Sequence, residues 1–598
     1  MKFFTRLFFV SVLFLTTTAV FANGNLPTTV VHIGPGSDLK TEVADLVAAG
    51  GGTLILEEGT WIVPAGMIPV TVPIRILGAG AGSTVLESGI DRAFPLFDVQ
   101  ANFSLEGLTF NDWDEPVVQS LGATLEWLEI RGCHFSNVSH YVITTHKTQG
   151  SIHLRADNIH RFVLEDALFT NCHAALKLRA HKYLRNVTIR NNQVDGVVVA
   201  GFLVGVNGPN YQPYQTDYVI TGNTVKNVIG PQGNTNEIYA IQVLGSQAVI
   251  ADNLVQTVKN DTPNSSSFGI YTKMTDSIIR DNTVLDVAGA GIQVKGRSPN
   301  TANNGDNLGY GNRVTHNLIQ GPHASNGLIS FGIALNCSDT TLSDNMISEV
   351  DRGIYLHFDG TNNLIENNKI SHFRASGIQI DQMAKGLTIR HNRIFAHQGS
   401  GGKGIYFNAF CANEGLCMMV NVLVEGNHIE AMNDQVGVYF NASQSDPVPI
   451  RNMTVRNNVI RDATYGIGFF NDGTYENVVI ADNTIQATVP IQRLDRVDSY
   501  RIHGNDNGAA KIRGSFPIAG GGGAVLSETV DHGAIMTPSV EQVKVTLIGD
   551  PADVATVSAT VQSVGSASFQ VVLNQAPLND MVAFWEIQPD EKVIDNNQ

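Results

Sequence analysis

The chain has 598 residues, with 38 Lys and Arg against 55 Asp and Glu, and a formal net charge of −17. That balance lacks the basic face a nucleic-acid partner requires. Five cysteines in so long a chain are too few, and odd in number, to be its framework.

Lys2 and Arg6 precede the apolar run Leu7 to Leu15, and Val20 and Ala22 give a small-residue cleavage site. Residues 1–22 therefore read as a secretory signal peptide, with a mature chain starting at Asn23 and exported to periplasm or medium. The run is too short to span a bilayer, and no later stretch reaches about 18 apolar residues, so membrane insertion is not expected. Export permits disulfides, and Cys411 and Cys417 lie close enough in a loop to pair. Asp38 to Ala49 reads as a short helix capping the end of the fold. Gly50-Gly51-Gly52-Thr53-Leu54-Ile55-Leu56 and Gly59-Thr60-Trp61 then open the first strands.

From there a phrase, polar-Asn-x-aliphatic, recurs at Asn192, Asn223, Asn253, Asn282, Asn317, Asn345, Asn368, Asn392, Asn427, Asn458 and Asn483, spaced 23 to 35 residues apart. A β-type run such as Val187-Thr188-Ile189 or Leu387-Thr388-Ile389 precedes each Asn. About ten residues later comes Gly-aliphatic-x-aliphatic-x, as in Gly269-Ile270-Tyr271-Thr272-Lys273 and Gly353-Ile354-Tyr355-Leu356-His357. Such a unit cannot bury its own apolar face, so it must stack on its neighbours. Period-2 alternation with many glycines excludes helical solenoids. The Asn suits a bend, through its tolerance of the left-handed region and its capacity to bond the next Asn in a ladder. The pattern resembles the pectin-lyase-like superfamily over roughly residues 30–510. The expected fold is all-β: a right-handed parallel β-helix over 23–512 with an N-terminal capping helix.

In the glycine phrase the second and fourth residues face inward, so the third and fifth face outward on one sheet. The third position gives Gln242, Tyr271, Gln293, Ala334, Tyr355, Gln379, Tyr406, Tyr439 and Gly468. The fifth gives Leu244, Lys273, Lys295, Asn336, His357, Asp381, Asn408, Asn441 and Phe470. An earlier coil adds Lys177 and Arg179. With coils about 4.8 Å apart these make two parallel files. Lys295, Asn336, His357 and Asp381 should be consecutive, provided the insertion Arg297 to Gly311 adds no coil. An outward face is polar simply because it meets water, but a strip rich in Tyr, Gln, Asn and His also suits an extended sugar polymer. Rings stack on Tyr and hydroxyls bind the amides, making Arg179, Tyr271, Gln293, Asn336, Gln379, Tyr406, Asn408, Tyr439 and Asn441 candidate substrate contacts. Insertions Val204 to Asp217, Gln232 to Asn236, Arg297 to Gly311 and Phe410 to Val420 place long loops on this scaffold.

Three chemistries fit such a strip. β-Elimination at a uronic acid needs a cation for the carboxylate, a base for the α-proton and an acid for the leaving oxygen. Lys273 and Lys295 are candidates for base and neutraliser, each sensitive to the other's charge, with Tyr355 or His357 completing the proton transfers. The stretch Ile270 to Gly296 resembles the alginate lyase and chondroitinase B family. Lys273 matches that family's Lys in register, while Lys295-Gly296 stands where the family has Arg-His-Gly. The resemblance alone carries the family's calcium; no metal ligands show spacing here and no cofactor is required. Mannuronan epimerases of this fold also combine Tyr, His, Lys and Asp, but their Asp-Pro-His phrase is missing. Hydrolysis would use Asp381 and Asp359, although Asp359-Gly360 also reads as a turn and the polygalacturonase phrases are absent. A glycan-binding or adhesin-like surface is the non-catalytic reading. The expected partner throughout is a polysaccharide, and an acidic one under the first reading.

After Arg501-Ile502-His503 the repeats stop, and Gly520 to Gly523 make a flexible link. Alternation in Gln542 to Leu547 and Phe569 to Leu573 gives a small β-sandwich-like module over 524–598. The order His532-Gly533, Pro538-Ser539-Val540, Phe569-Gln570-Val571 and Phe584-Trp585 resembles C-terminal modules of phage tail fibres and some β-helix enzymes, which serve attachment, self-association into homo-oligomers, glycan binding or plain end-capping.

Overall fold

The structure is a computed structural model. It describes residues 29–89, 94–138, 150–206, 214–234, 237–262, 265–296, 309–322, 329–357, 360–381, 384–396, 402–409, 419–430, 435–442, 450–471, 475–493 and 497–505. Beyond these it describes 513–518, 527–531, 543–549, 554, 557–564, 568–575, 580–587 and 590–592. The proposed signal peptide, Asp359, Cys411, Cys417, Gly520 to Gly523 and the phrases at 532–540 lie outside the described residues.

The chain winds as a right-handed parallel β-helix whose strands pair in parallel with the coils before and after. One coil comprises Arg352–His357, Leu364–Glu366 and Lys369–Phe373. The next comprises Ser376–Asp381, Thr388–Arg390 and Arg393–Ala396, and the three strands pair one to one. Parallel sheets must bury their inner face, and the interior is one continuous apolar core from Ile33 to Ile502. Aromatic rings stack coil upon coil inside it, as in Phe110–Phe135–Phe169 and Phe407–Phe440–Phe469. Cys133, Cys172 and Cys337 are buried free thiols in this core, and burial pushes Cys133 up to about 12.

The asparagines form the expected ladder. Asn368 donates from Nδ2 to Asn392 Oδ1 (3.0 Å) and to the Leu342 carbonyl (2.9 Å), while its Oδ1 accepts from Asn345 N and Nδ2. The same pattern runs from Asn192 to Asn483 and ends on Asn505. The expected bend conformation is displaced by one residue. The left-handed backbone belongs to the residue before each ladder Asn: Asn191, Asp252, Asp281, His316, Asp344, Asn367, His391, Asn457 and Asp482, or Gly222 and Gly426. The ladder Asn turns its amide inward and needs an ordinary backbone for that. The preceding, outward residue makes the bend, where short polar side chains and glycine bear least strain.

At the N-terminal end the helix Leu39–Ala48 begins at Asp38, whose carboxylate accepts from Lys40 N and Thr41 Oγ1, both at 3.0 Å. Its Leu39, Val43 and Leu46 are buried in the common core. At the other end Tyr500–His503 pairs antiparallel with Asp590–Lys592. Among the described residues beyond the stack there are two three-stranded antiparallel sheets. Arg513–Ile518, which precedes the glycine link, pairs with Met581–Ile587 beside Val543–Ile548; the second sheet is Ser527–Asp531, Ser568–Leu573 and Ala559–Val564.

Candidate functional site

The two files stand in register along one sheet. Gln242, Tyr271, Gln293, Ala334, Tyr355, Gln379, Tyr406 and Tyr439 pair successively. Lys295 pairs with Asn336, His357 with Asp381, Asp381 with Asn408, and Asn408 with Asn441. The strand Ala290–Lys295 pairs directly with Phe331–Asn336, so the intervening insertion adds no coil.

A third outward file escapes simple alternation. It is Tyr239, before Ala240, and then the residue before each glycine: Phe268, Ala290, Phe331, Arg352, Ser376, Lys403, Val436 and Tyr465. Glycine and the following aliphatic both face the core, which breaks the period of two. At Gly353 an added Cβ would lie 2.3 Å from Ile370 Cγ2 and 2.5 Å from the Gly377 carbonyl oxygen, so only glycine fits. Simple alternation therefore passes over Arg352, Lys403 and Phe331, although the repeated Gly-aliphatic pair, read as two inward residues, signals them.

A polar cluster on the sheet centres on Asp381. Its Oδ2 accepts from Tyr355 Oη at 2.8 Å, and its Oδ1 from Gln379 Nε2 at 2.8 Å and Asn408 Nδ2 at 3.1 Å. Gln379 is only 4% exposed and is itself held by Ser376 Oγ at 3.0 Å, so it orients Asp381 and offers no face to a ligand. The Tyr355 ring lies between two others, stacked on Phe331 (4.9 Å between centroids) and on His357 (5.4 Å). Arg352 lies over Tyr355 at 4.9 Å and Phe331 at 5.6 Å, and among the described residues its buried Nε has no hydrogen-bond partner. Burial, reinforced by Asp381, raises the Tyr355 phenol well above its ordinary range, so it keeps its proton. Burial lowers the His357 imidazole; Arg352 and Lys295 lower it further against the opposing pull of Asp381. Asn336, with its amide oriented to satisfy its neighbours, donates to the His357 carbonyl at 2.8 Å.

Toward the C-terminal coils, Asn441 Nδ2 reaches Asn408 Oδ1 (2.9 Å) and Tyr406 Oη (3.1 Å). Lys403 Nζ sits 5.0 Å from the Tyr406 ring and 5.4 Å from Tyr439, and Tyr439 stacks on Phe470 at 4.1 Å. Toward the N-terminal coils the face turns apolar: Tyr271 is 5% exposed and packed edge-on against Tyr239 and Phe268, so it is a shelf member and not an open stacking face. Lys273 and Lys295 stand half-buried beside that shelf, Lys295 Nζ lying 6.0 Å from the Tyr271 ring, with Gln293 half-buried between. Lys177 and Arg179 continue the two files further up the sheet, Lys177 through Leu203 to Gln242. The strip thus holds two separable groups: the lysine pair, and the cluster of Arg352, Tyr355, His357 and Asp381. Among the described residues no group of three or more His, Cys, Asp or Glu is disposed to hold a metal ion, and no helix is long and apolar enough to cross a membrane.

Residues 268–414 match the family described as the right handed beta helix region, a segment that carries both groups. No curated protein matches the sequence. Among solved structures the chain is similar to the tailspike of Pseudomonas phage phi297, with a TM-score of 0.43 and 9% identity over 92% of this chain and 91% of that one. It is similar also to the tailspike of E. coli bacteriophage HK620. A mutant of that protein in complex with a hexasaccharide gives a TM-score of 0.41 and 12% identity over 93% and 91% of the two chains. Its complex with a pentasaccharide gives 0.38 and 12% over the same shares.

Proposed function

We propose that this is an exported protein that processes a long polysaccharide along its outer sheet, and that its chemistry is β-elimination, or the related epimerisation, at a uronic acid. The observation that carries the reading is the Asp381 carboxylate, clamped by Tyr355, Gln379 and Asn408, with His357 and Arg352 packed on the same Tyr355 ring. Arg352, with donor capacity in hand, neutralises the substrate carboxylate and so acidifies the α-proton. His357, kept neutral by its surroundings, takes that proton. Tyr355, kept protonated and oriented by Asp381, donates to the glycosidic oxygen as its bond to carbon breaks. The imidazolium proton then passes through solvent to restore the phenol. Lys273 and Lys295 hold further carboxylates of the chain along the strip.

Hydrolysis has less support, because it uses two carboxylates. Asp381 is the sole acid in the three outward files among the described residues, and Asp359 lies outside them. The test is a panel of alginate, pectate and glycosaminoglycans, read by the ultraviolet absorbance of unsaturated ends. Absorbance lost in His357→Ala and Tyr355→Phe supports elimination at this cluster. Loss in Lys273→Ala and Lys295→Ala alone moves the centre to the lysine pair. New reducing ends without absorbance mean hydrolysis, and binding without turnover leaves a binding surface.

A further inference from the structure

The coils N-terminal to the strip carry a second concentration of charge. Strands Ile152–Ile159 and Ala174–Arg190 pair with His153 opposite Lys177 and Arg155 opposite Arg179, all on the outward face that continues into the two files. Paired strands stand about 4.8 Å apart, so three cations and an imidazole share one small patch. Among the described residues no carboxylate pairs with Arg155 or Arg179. Arg179 Nε is buried without a hydrogen-bond partner, and Lys177 is 7% exposed. Arg155 and Arg179 act electrostatically on both His153 and Lys177. Burial first, and then those cations, push His153 down to about 4 and Lys177 down to about 8. Gathering like charges in a half-buried place costs free energy, which an anion would return. In a chain of net charge −17 such a patch is not a by-product of composition.

We infer that His153, Arg155, Lys177 and Arg179 form a subsite for an oxyanion substituent, a carboxylate or sulfate, on a polymer lying along the sheet. The patch is seven coil steps from Asp381 in the same file, about 34 Å. A short oligosaccharide does not bridge that distance, so the subsite serves long polyanions and leaves short substrates unaffected. The substrate class rests on the proposed polysaccharide function; the anion preference does not.

The test measures affinity of the full chain for polygalacturonate, dextran sulfate and uncharged dextran of similar length by affinity electrophoresis. Arg155 is exposed, so Arg155→Gln spares the fold; Arg155→Gln/Arg179→Gln is checked by thermal melting, and exposed Lys544→Gln on the module controls for charge alone. The expected result is at least a tenfold loss of affinity for one or both polyanions in the double variant, none for Lys544→Gln, and no change with dextran. Loss confined to polygalacturonate assigns a carboxylate, and loss confined to dextran sulfate assigns a sulfate ester. Equal affinity of wild type and double variant for both polyanions overturns the inference, as does a wild type that binds neither. Arginine-dependent binding without turnover leaves the subsite standing and removes the lyase. Turnover of short uronates with arginine-independent polymer binding does the reverse.

Discussion

At the scale of single residues the chemistry turns on which groups hold protons. In the proposed elimination His357 serves as base only when neutral, and its surroundings place its titration below the ordinary imidazole value of 6.5. The acid limb of kcat/KM is therefore expected below that pH. Arg352→Ala removes a cation that lowers the imidazole and moves the limb up; Asp381→Asn removes the group that raises it and moves the limb down. A pH–rate profile of each variant reads both, and shifts in the same direction would remove His357 from the role of base. His357→Ala is expected to lose about 10²–10⁴ in kcat, the range of a positioned general base. Asp381→Asn should lose kcat with KM little changed, because under the proposed mechanism Asp381 works by orienting Tyr355. A related sign governs stability at His153. Its imidazole titrates at about 4 when folded against an ordinary imidazole value of 6.5, so the unfolded chain binds the proton first as pH falls. Its contribution is complete above 6.5 and is lost on acidification toward 4, a loss that denaturant melts of wild type and His153→Gln should separate.

At the scale of strands and turns the fold rests on two repeated devices that substitutions can take apart. Asn368 is buried, and replacing it with Ala leaves Asn345 N and Nδ2 without their acceptor and the Leu342 and Glu366 carbonyls without their donor. The expected loss is about 2–3 kcal/mol, from the cost of unsatisfied buried groups, read as a lower denaturation midpoint. Gly353→Ala forces a Cβ against Ile370 and the next strand and should cost about 1–3 kcal/mol. It should also displace Arg352 and Tyr355, so activity falls further than stability; a variant that melts early yet turns over normally would separate the glycine from the site. These devices explain how much is readable from sequence. The ladder and the files of Tyr355 and His357 are legible because Gly-Ile-x-aliphatic-x fixes which side each residue faces. Arg352 and Lys403 are not, because the parity breaks at the glycine. Nor is the choice of centre among many similar coils. It depends on contacts between coils, such as Tyr355 to Asp381 across 26 residues, which local pattern does not carry.

At the scale of the whole molecule a solenoid has no edges along its length and two at its ends, and its ends decide whether it remains one molecule. Strands inside the stack such as Ser376–Asp381 are paired on both sides, whereas Val30–Ile33 pairs with Gly52–Leu56 and forms the first layer of the stack. An unpaired parallel edge over an apolar core is a template for another chain. The helix Leu39–Ala48 meets that hazard by burying Val43 between Leu39 and Leu46 in the core. Val43→Asp places a charge there and should lift the helix from the end of the stack. Because each coil's stability comes from itself and its nearest neighbours, the melting of the remaining coils should change little while the exposed end begins to associate. Concentration-dependent growth in light scattering is expected for Val43→Asp. Lys369→Asp, an exposed position in a middle coil, should stay at the wild-type size. A Val43→Asp protein that keeps the wild-type size at high concentration would mean that the first strand is protected without the helix, and the cap would then be a passenger on the fold.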